Sequence, residues 1–227
     1  MPNPEAIRSQ IEKLTSNLIE LSLSIDQNFP SLREMNDGFM DVGFGSNHGL
    51  SLVLKNLPYR DVYDELDRSR MFNIKMVDGA LIQLMYRFQE GNLQAHRLAF
   101  FPSPYVEEFQ NNPEIYSEDE LFAEVVAKNI VPFPFRFDFD SRAEVVVEKD
   151  HPQSHLSLGQ YKNCRIPVNS PVTPYYFINF VLRNFYNTAY LKFCEKLTVF
   201  PNRFRDTIYE SERQLIYIQI PIGDAAQ

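Results

Sequence analysis

The chain has no tryptophan, only two cysteines and only eight glycines in 227 residues. Each shortage excludes something. Cys164 and Cys194 fit no zinc spacing and no disulfide framework, so they read as reduced thiols of a cytoplasmic protein. The glycines build no phosphate loop: Gly43-Phe44-Gly45 lacks a third glycine and a Lys-Ser/Thr pair after it. His48 beside it reads as an exposed loop histidine. No glycine elbow presents a serine or cysteine nucleophile. No apolar run approaches the length that spans a bilayer, and the start, MPNPEAIRSQ, lacks the basic and apolar regions of a signal peptide. The expectation is a cytoplasmic protein with no membrane segment.

What is present is an aromatic-rich globular composition, with 19 Phe, 12 Tyr and 44% hydrophobic residues. No repeat, linker or low-complexity segment divides the chain, which predicts one domain. The net charge of −8 is uneven: residues 1–135 carry 11 Lys and Arg against 20 Asp and Glu, and the remainder 11 against 10. The acidic half is a poor surface for nucleic acid, while the second half tolerates phosphate. A simple nucleic-acid-binding module is disfavoured; an enzyme acting on a nucleotide or nucleic acid is not.

Asn3-Pro4-Glu5 has the cap, the first-turn proline and the acid of a helix start. Ile7, Ile11, Leu14, Leu18, Leu21 and Ile25 then recur at heptad spacing and predict a helix over 4–28. Ile19 and Leu23 broaden the stripe, which favours docking on the same chain. The alternative is a homodimer or a partner protein bound through this helix. A short strand is expected at Ser51–Leu57. A charged helix is expected over Tyr59–Met71, with an Asp64–Arg68 pair. Alternating residues from Phe72 to Phe88 predict a hairpin turning at Asp78-Gly79, and Leu93–Phe101 a further strand. There either His96 or Arg97 must face an apolar side, and a lone histidine so placed reads as a core residue. Ser117-Glu118-Asp119-Glu120 is a capping box whose helix ends near Asn129. Thr173-Pro174 opens a long C-terminal helix that buries Phe177, Val181, Leu182, Phe185, Ala189 and Phe193, and Gln214–Ile220 is a last strand. The fold class is α+β: a largely antiparallel meander sheet covered by an N-terminal and a long C-terminal helix.

The stretch Phe133–Val168 organises the rest. Phe133, Phe135, Phe137 and Phe139 alternate with Pro134, Arg136, Asp138 and Asp140, so the phenylalanines face a core and the charged residues line the other face. Glu144–Glu148 is expected to return as a hairpin strand. A turn at 150–154, carrying His151, leads into a strand with His155, Ser157 and Gly159 on its polar face. If that strand lies beside Phe133–Asp140, His155 meets the acids. Two carboxylates and histidine suit a divalent metal, with Asp138, Asp140 and His155 as ligands. They also suit acid–base work with His151 and His155 as proton carriers, while Arg136 and Arg165 clamp an anion. The bland alternative is an Arg–Asp ladder that only holds the sheet together.

Four blocks, HRLAFFPSP, RFDFD, HPQSHLSLGQYKNCRIPV and TPYYFINFVLRNFY, together resemble an uncharacterised bacterial family, the domain-of-unknown-function family DUF2290. The resemblance covers residues 70–220 and implies a bacterial cytoplasmic protein; it implies no activity. Positions matching the family's recurring polar pattern are Arg97, Arg136, Asp138, Asp140, His151, His155, Gln160, Arg165 and Arg183. Arg97, Gln160 and Arg183 are thereby expected to bind substrate. Two functions follow. One is a phosphodiester- or nucleotide-directed hydrolase, although the acid-x-Lys pattern of many nucleases is absent. The other is a non-catalytic partner-binding subunit.

Overall fold

Period-two alternation in the middle of the chain closes into one nine-stranded antiparallel sheet, and amphipathic helices cover it. A computed structural model describes residues 1–35, 37–45, 57–105, 133–161 and 163–222. Among these, helix α1 spans Pro4–Glu20. Strands β1 (Ser24–Gln27), β2 (Ser31–Glu34) and β3 (Phe39–Gly43) follow. Helix α2 (Tyr59–Arg68) precedes β4 (Ile74–Met76), β5 (Leu81–Gln89) and β6 (Asn92–Phe101). Then come β7 (Phe135–Asp140), β8 (Ser154–Leu158) and β9 (Arg165–Pro167), and helices α3 (Pro174–Phe185) and α4 (Asn187–Phe193). The sheet order is β1-β4-β5-β6-β7-β8-β9, with β3 also on β5 and β2 on β3. The expectations at Ser51–Asn56, His48 and the Ser117 capping box lie outside the described residues. No described helix is long and apolar enough to cross a membrane.

One sheet face is the main core. Ile82, Leu84, Tyr86 and Phe88 of β5, Leu98 and Phe100 of β6, Phe135 and Phe137 of β7 and Leu156 of β8 pack there under α1 and α3. Asn3 caps α1 by accepting from the Ala6 N–H at 2.8 Å, as its sequence predicts. The seam Ile7, Ile11, Leu14 and Leu18 is fully buried in the chain's own core and offers nothing to a partner. The helix does not reach residue 28. It stops at Glu20, Ser22 takes a left-handed φ of 56°, and Ile25 stands exposed on β1.

Four further expectations are corrected. Glu144–Glu148 forms no strand: Val147 makes a single bridge to His151, and β8 takes the place beside β7. Strand β8 can supply Leu156 to the core face while keeping His155 on the other, an alternation that the run Val145-Val146-Val147 lacks. The C-terminal helix breaks at Tyr186, whose ring is fully buried and whose hydroxyl donates to Asp78 Oδ1 at 2.7 Å. Gln214–Ile220 contributes one parallel bridge, Val168 to Ile218, and Asn169 pins the segment through the Ile220 N–H at 2.7 Å. In α2, Arg68 pairs with Glu65, and Asp64 accepts instead from the Tyr105 hydroxyl at 2.8 Å.

His96, not Arg97, faces the core. It lies between the Tyr86 and Phe139 rings, and its Nε2 accepts from the Val172 N–H at 2.9 Å. Burial lowers its pKa from 6.5 to about 4, so it is neutral.

The β4–β5 turn holds as predicted at Asp78-Gly79, with Gly79 at a φ of +86°. A Cβ there would stand 3.2 Å from the Ser103 side chain and 3.3 Å from the Tyr63 hydroxyl. Left-handed backbone and crowding act together, so Gly79→Ala is expected to lose about 1–3 kcal/mol in urea denaturation. A wild-type midpoint would show the turn to be unstrained.

Candidate functional site: an arginine–aspartate–histidine face

The opposite sheet face carries two environments side by side. Helix α2 covers one part, where Val62, Tyr63 and Leu66 pack on Leu81, Ala99 and Phe101. Next to it the alternation of β6, β7, β8 and β9 lines up polar groups. In one row across the sheet, Arg97, Asp138, His155 and Pro167 are successive cross-strand partners. In the next, Ala99, Arg136, Ser157 and Arg165 are partners. Asp140 opposite Ala95 lies on the other side of the first row. Phe135, Phe137 and Phe139 take the buried positions between these charges. Phe133 precedes β7 and is 54% exposed, because Pro134 has no N–H with which to extend the ladder.

Asp138 is the hub. Arg97 Nε donates to its Oδ1 at 3.0 Å and Arg136 Nε to its Oδ2 at 2.6 Å. Burial pushes this carboxyl up, but the charges of Arg97 and Arg136 outweigh burial and hold it below the ordinary value of 3.8. His155 Nε2 lies 3.9 Å from Oδ2. His155 Nδ1 is 2.8 Å from the Pro152 carbonyl oxygen, which only accepts, so the ring proton sits on Nδ1 and Nε2 carries a lone pair. Burial lowers the His155 pKa from 6.5 to about 4, against the pull of Asp138. The His151 ring packs edge-on at 5.0 Å, and burial, followed by the charge of Arg165, lowers its pKa.

Arg165 is half-buried, and its side chain makes no hydrogen bond or ion pair to any other described residue; the side chain of the buried Ser157, its cross-strand partner, makes none there either. Asp140 is taken by Arg142, whose Nη2 donates at 2.6 Å. Burial raises the Asp140 carboxyl, and this hydrogen-bonded arginine brings it below its ordinary value. Among the described residues the face therefore sets three guanidiniums, Arg97, Arg136 and Arg165, around the single carboxylate of Asp138, which Arg97 and Arg136 already hold. The surplus is positive on a chain of net charge −8. Such a face can hold an anion and present it to a neutral imidazole.

The structure brings together Arg97, Arg136, Asp138, His151, His155 and Arg165. It does not assemble the expected metal ligands. Among the described residues no three His, Cys, Asp or Glu side chains group around a metal position. Both Asp138 oxygens and both Asp140 oxygens already accept from arginines. Gln160 donates to the Leu57 carbonyl at 3.0 Å. Arg183 is exposed on α3, the helix that covers the phenylalanine face, and is not part of the cluster. Sequence reasoning missed the Arg142–Asp140 pair, for which the two-residue spacing of opposite charges was the available signal. It placed Ser157 on the polar face with His155, and the register of β8 bears that out. An open depression of about 280 Å³ lies at the Asp140 end, lined by Ser141, Ala143, Val146 and Gln153. None of the predicted site residues lines it.

Fold and face together define an α+β protein whose antiparallel sheet carries a cationic arginine–aspartate–histidine cluster. The chain belongs to the family described as uncharacterized conserved protein (DUF2290), whose family model matches residues 23–220 and so takes in every strand of the sheet. No curated protein and no solved structure matches the chain.

Proposed function

We propose that this protein is a bacterial, cytoplasmic hydrolase that cleaves a phosphodiester or nucleotide by acid–base chemistry at the Asp138–His155 face. The observation that carries the reading is the placement of His155 Nε2, unprotonated and 3.9 Å from Asp138, beside a guanidinium surplus. The free thiols Cys164 and Cys194 suit a reducing compartment. Arg136 and Arg165 hold the phosphate oxygens. His155 Nε2 takes the proton of an attacking hydroxyl or water, whose oxygen bonds to phosphorus. The leaving oxygen departs with the former P–O electron pair and takes a proton from His151. Burial is the larger cause of the lowered His151 pKa and the charge of Arg165 the second, so an anion on Arg165 removes the second and shifts His151 toward its protonated form.

The test is hydrolysis of bis(p-nitrophenyl) phosphate and of fluorescent single-stranded RNA and DNA. Each is measured in chelator and then with Mg²⁺, Mn²⁺ or Zn²⁺, by the wild type and by His155→Gln. The wild type is expected to cleave at least one substrate, and His155→Gln about a hundredfold more slowly. Equal rates from the two proteins on every substrate, or none from either, end the reading.

A further inference from the structure

Just past the Arg136–Ser157–Arg165 row, the sheet ends in two exposed aromatic rings. Tyr161 is 77% exposed and Phe133 54% exposed. They come from different segments, Phe133 from the approach to β7 and Tyr161 from the β8–β9 loop, yet they adjoin. A Cβ built on Gly159 would stand 3.5 Å from the Tyr161 ring and 3.7 Å from the Phe133 ring. The chain is anchored at this point, since the Gly159 N–H donates to the Pro134 carbonyl at 2.6 Å. Neither ring belongs to the hydrophobic cores. Large exposed aromatics are costly to leave in water, and the main core has already taken up most of the phenylalanines around them.

Their neighbours give the pair a chemistry. Gly159 is two residues beyond Ser157, and two strand residues span about 7 Å. Arg165 opens β9 opposite Ser157, at the far end of the loop that carries Tyr161. Flat apolar rings therefore sit one strand step from a guanidinium with no partner among the described residues, and two steps from His155. That order, ring then cation then imidazole, matches an unpaired base, its phosphate and the bond to be cleaved. Aromatic platforms beside a cationic track are how single strands are held without sequence readout.

We infer that Phe133 and Tyr161 form a stacking platform for an unpaired nucleobase whose phosphate rests on Arg165 and Arg136. The inference deepens the function proposed above and rests on that reading for the direction of the strand toward His155. The ligand is a base-bearing phosphate, either in a single strand or as a free nucleotide. A double helix keeps its bases stacked and is excluded from the platform.

Fluorescence anisotropy tests it with a labelled hexa-adenylate, the same strand with abasic sites, and a blunt duplex. Competition by AMP and by ribose 5-phosphate separates a free nucleotide from a strand. The wild type is expected to bind the adenylate about tenfold or more tighter than the abasic strand. Phe133→Ala/Tyr161→Ala loses that margin and binds both alike, while Tyr161→Phe keeps it. Arg165→Ala weakens both strands and lowers the salt dependence of binding. The rings are exposed, so the double variant is expected to melt with the wild type, and its melting temperature is recorded alongside. Equal binding of base-bearing and abasic strands by the wild type, or an unchanged double variant, overturns the inference. So does the absence of binding to any of the probes. Base-dependent binding without cleavage leaves the platform standing and removes the catalytic reading; cleavage with base-independent binding does the reverse.

Discussion

Asp138→Ala is expected to lower stability by about 2–4 kcal/mol, below the cost of breaking a fully buried pair because the two arginines it strands are only half-buried. In a chain of this length that is a fall of about 10 °C in melting temperature. The Asp138 carboxylate answers two arginines at once, through Arg97 Nε at 3.0 Å and Arg136 Nε at 2.6 Å, and faces His155 as well. Removing it leaves two guanidiniums side by side on a half-covered sheet face with no counter-charge between them. Asp138→Asn keeps the volume and one acceptor, so its loss is expected to be smaller. The double variant Arg97→Ala/Asp138→Ala is expected to recover part of the loss, because one stranded cation goes with the carboxylate. Urea denaturation of the four proteins checks this, and a loss below 1 kcal/mol in Asp138→Ala would show the pairs to be solvated and slack. The same variants separate site from scaffold. If Asp138→Asn loses stability and keeps phosphodiesterase activity, the cluster only holds the sheet together.

Acidification is expected to unfold the protein from within, through two neutral histidines. Burial holds His96 and His155 each at a pKa of about 4 in the folded chain, against the ordinary value of 6.5. The unfolded chain therefore binds protons that the folded chain refuses. Each histidine's contribution is whole above pH 6.5, shrinks below it, and is spent as the pH reaches 4, a loss of about 3 kcal/mol per histidine. His151, lowered in the same direction by burial and Arg165, adds to the loss. Asp138 and Asp140, held below their ordinary values by arginines, lose their contribution at still lower pH, with the same sign. Asp78 opposes these, since burial raises its carboxyl and protonation there favours the folded chain. The net expectation is a loss of several kcal/mol between pH 7 and pH 4. Urea midpoints at half-unit steps measure it, and His96→Asn should cut the slope between pH 6.5 and 4.5 by roughly half whatever its own absolute cost. A midpoint that does not move over that range would mean that the folded chain takes up as many protons as the unfolded one, so that neither imidazole is held neutral by burial.

Two kinds of information met in the strand Phe135–Asp140. Its alternation is local, so the sequence alone set which side chains face the core and which stay polar, and the same holds for His155 and Ser157 on β8. The turn at Asp78-Gly79 and the cap at Asn3 were legible for the same reason: a short backbone path demands particular residues within three or four positions. The breadth of the stripe from Ile7 to Leu23 favoured docking on the same chain over a dimer seam, and burial of Ile7, Ile11, Leu14 and Leu18 in the chain's own core agrees with it. Where the local pattern was equivocal, burial decided. Val145-Val146-Val147 is a good strand by propensity, yet β8 occupies the neighbouring place because it fits both faces of the sheet at once.

By itself the sequence determined an α+β chain with an antiparallel sheet, a phenylalanine core and a polar face bearing Arg136, Asp138 and His155. Tertiary structure decided what those groups do to one another. It set Arg97 on the carboxylate that Arg136 also holds, and left the Arg165 side chain without a partner among the described residues. The reason is physical. Alternation along a strand is a property of neighbouring residues, whereas strand order, register and the sharing of one carboxylate by two guanidiniums depend on residues some 40 positions apart meeting across the sheet.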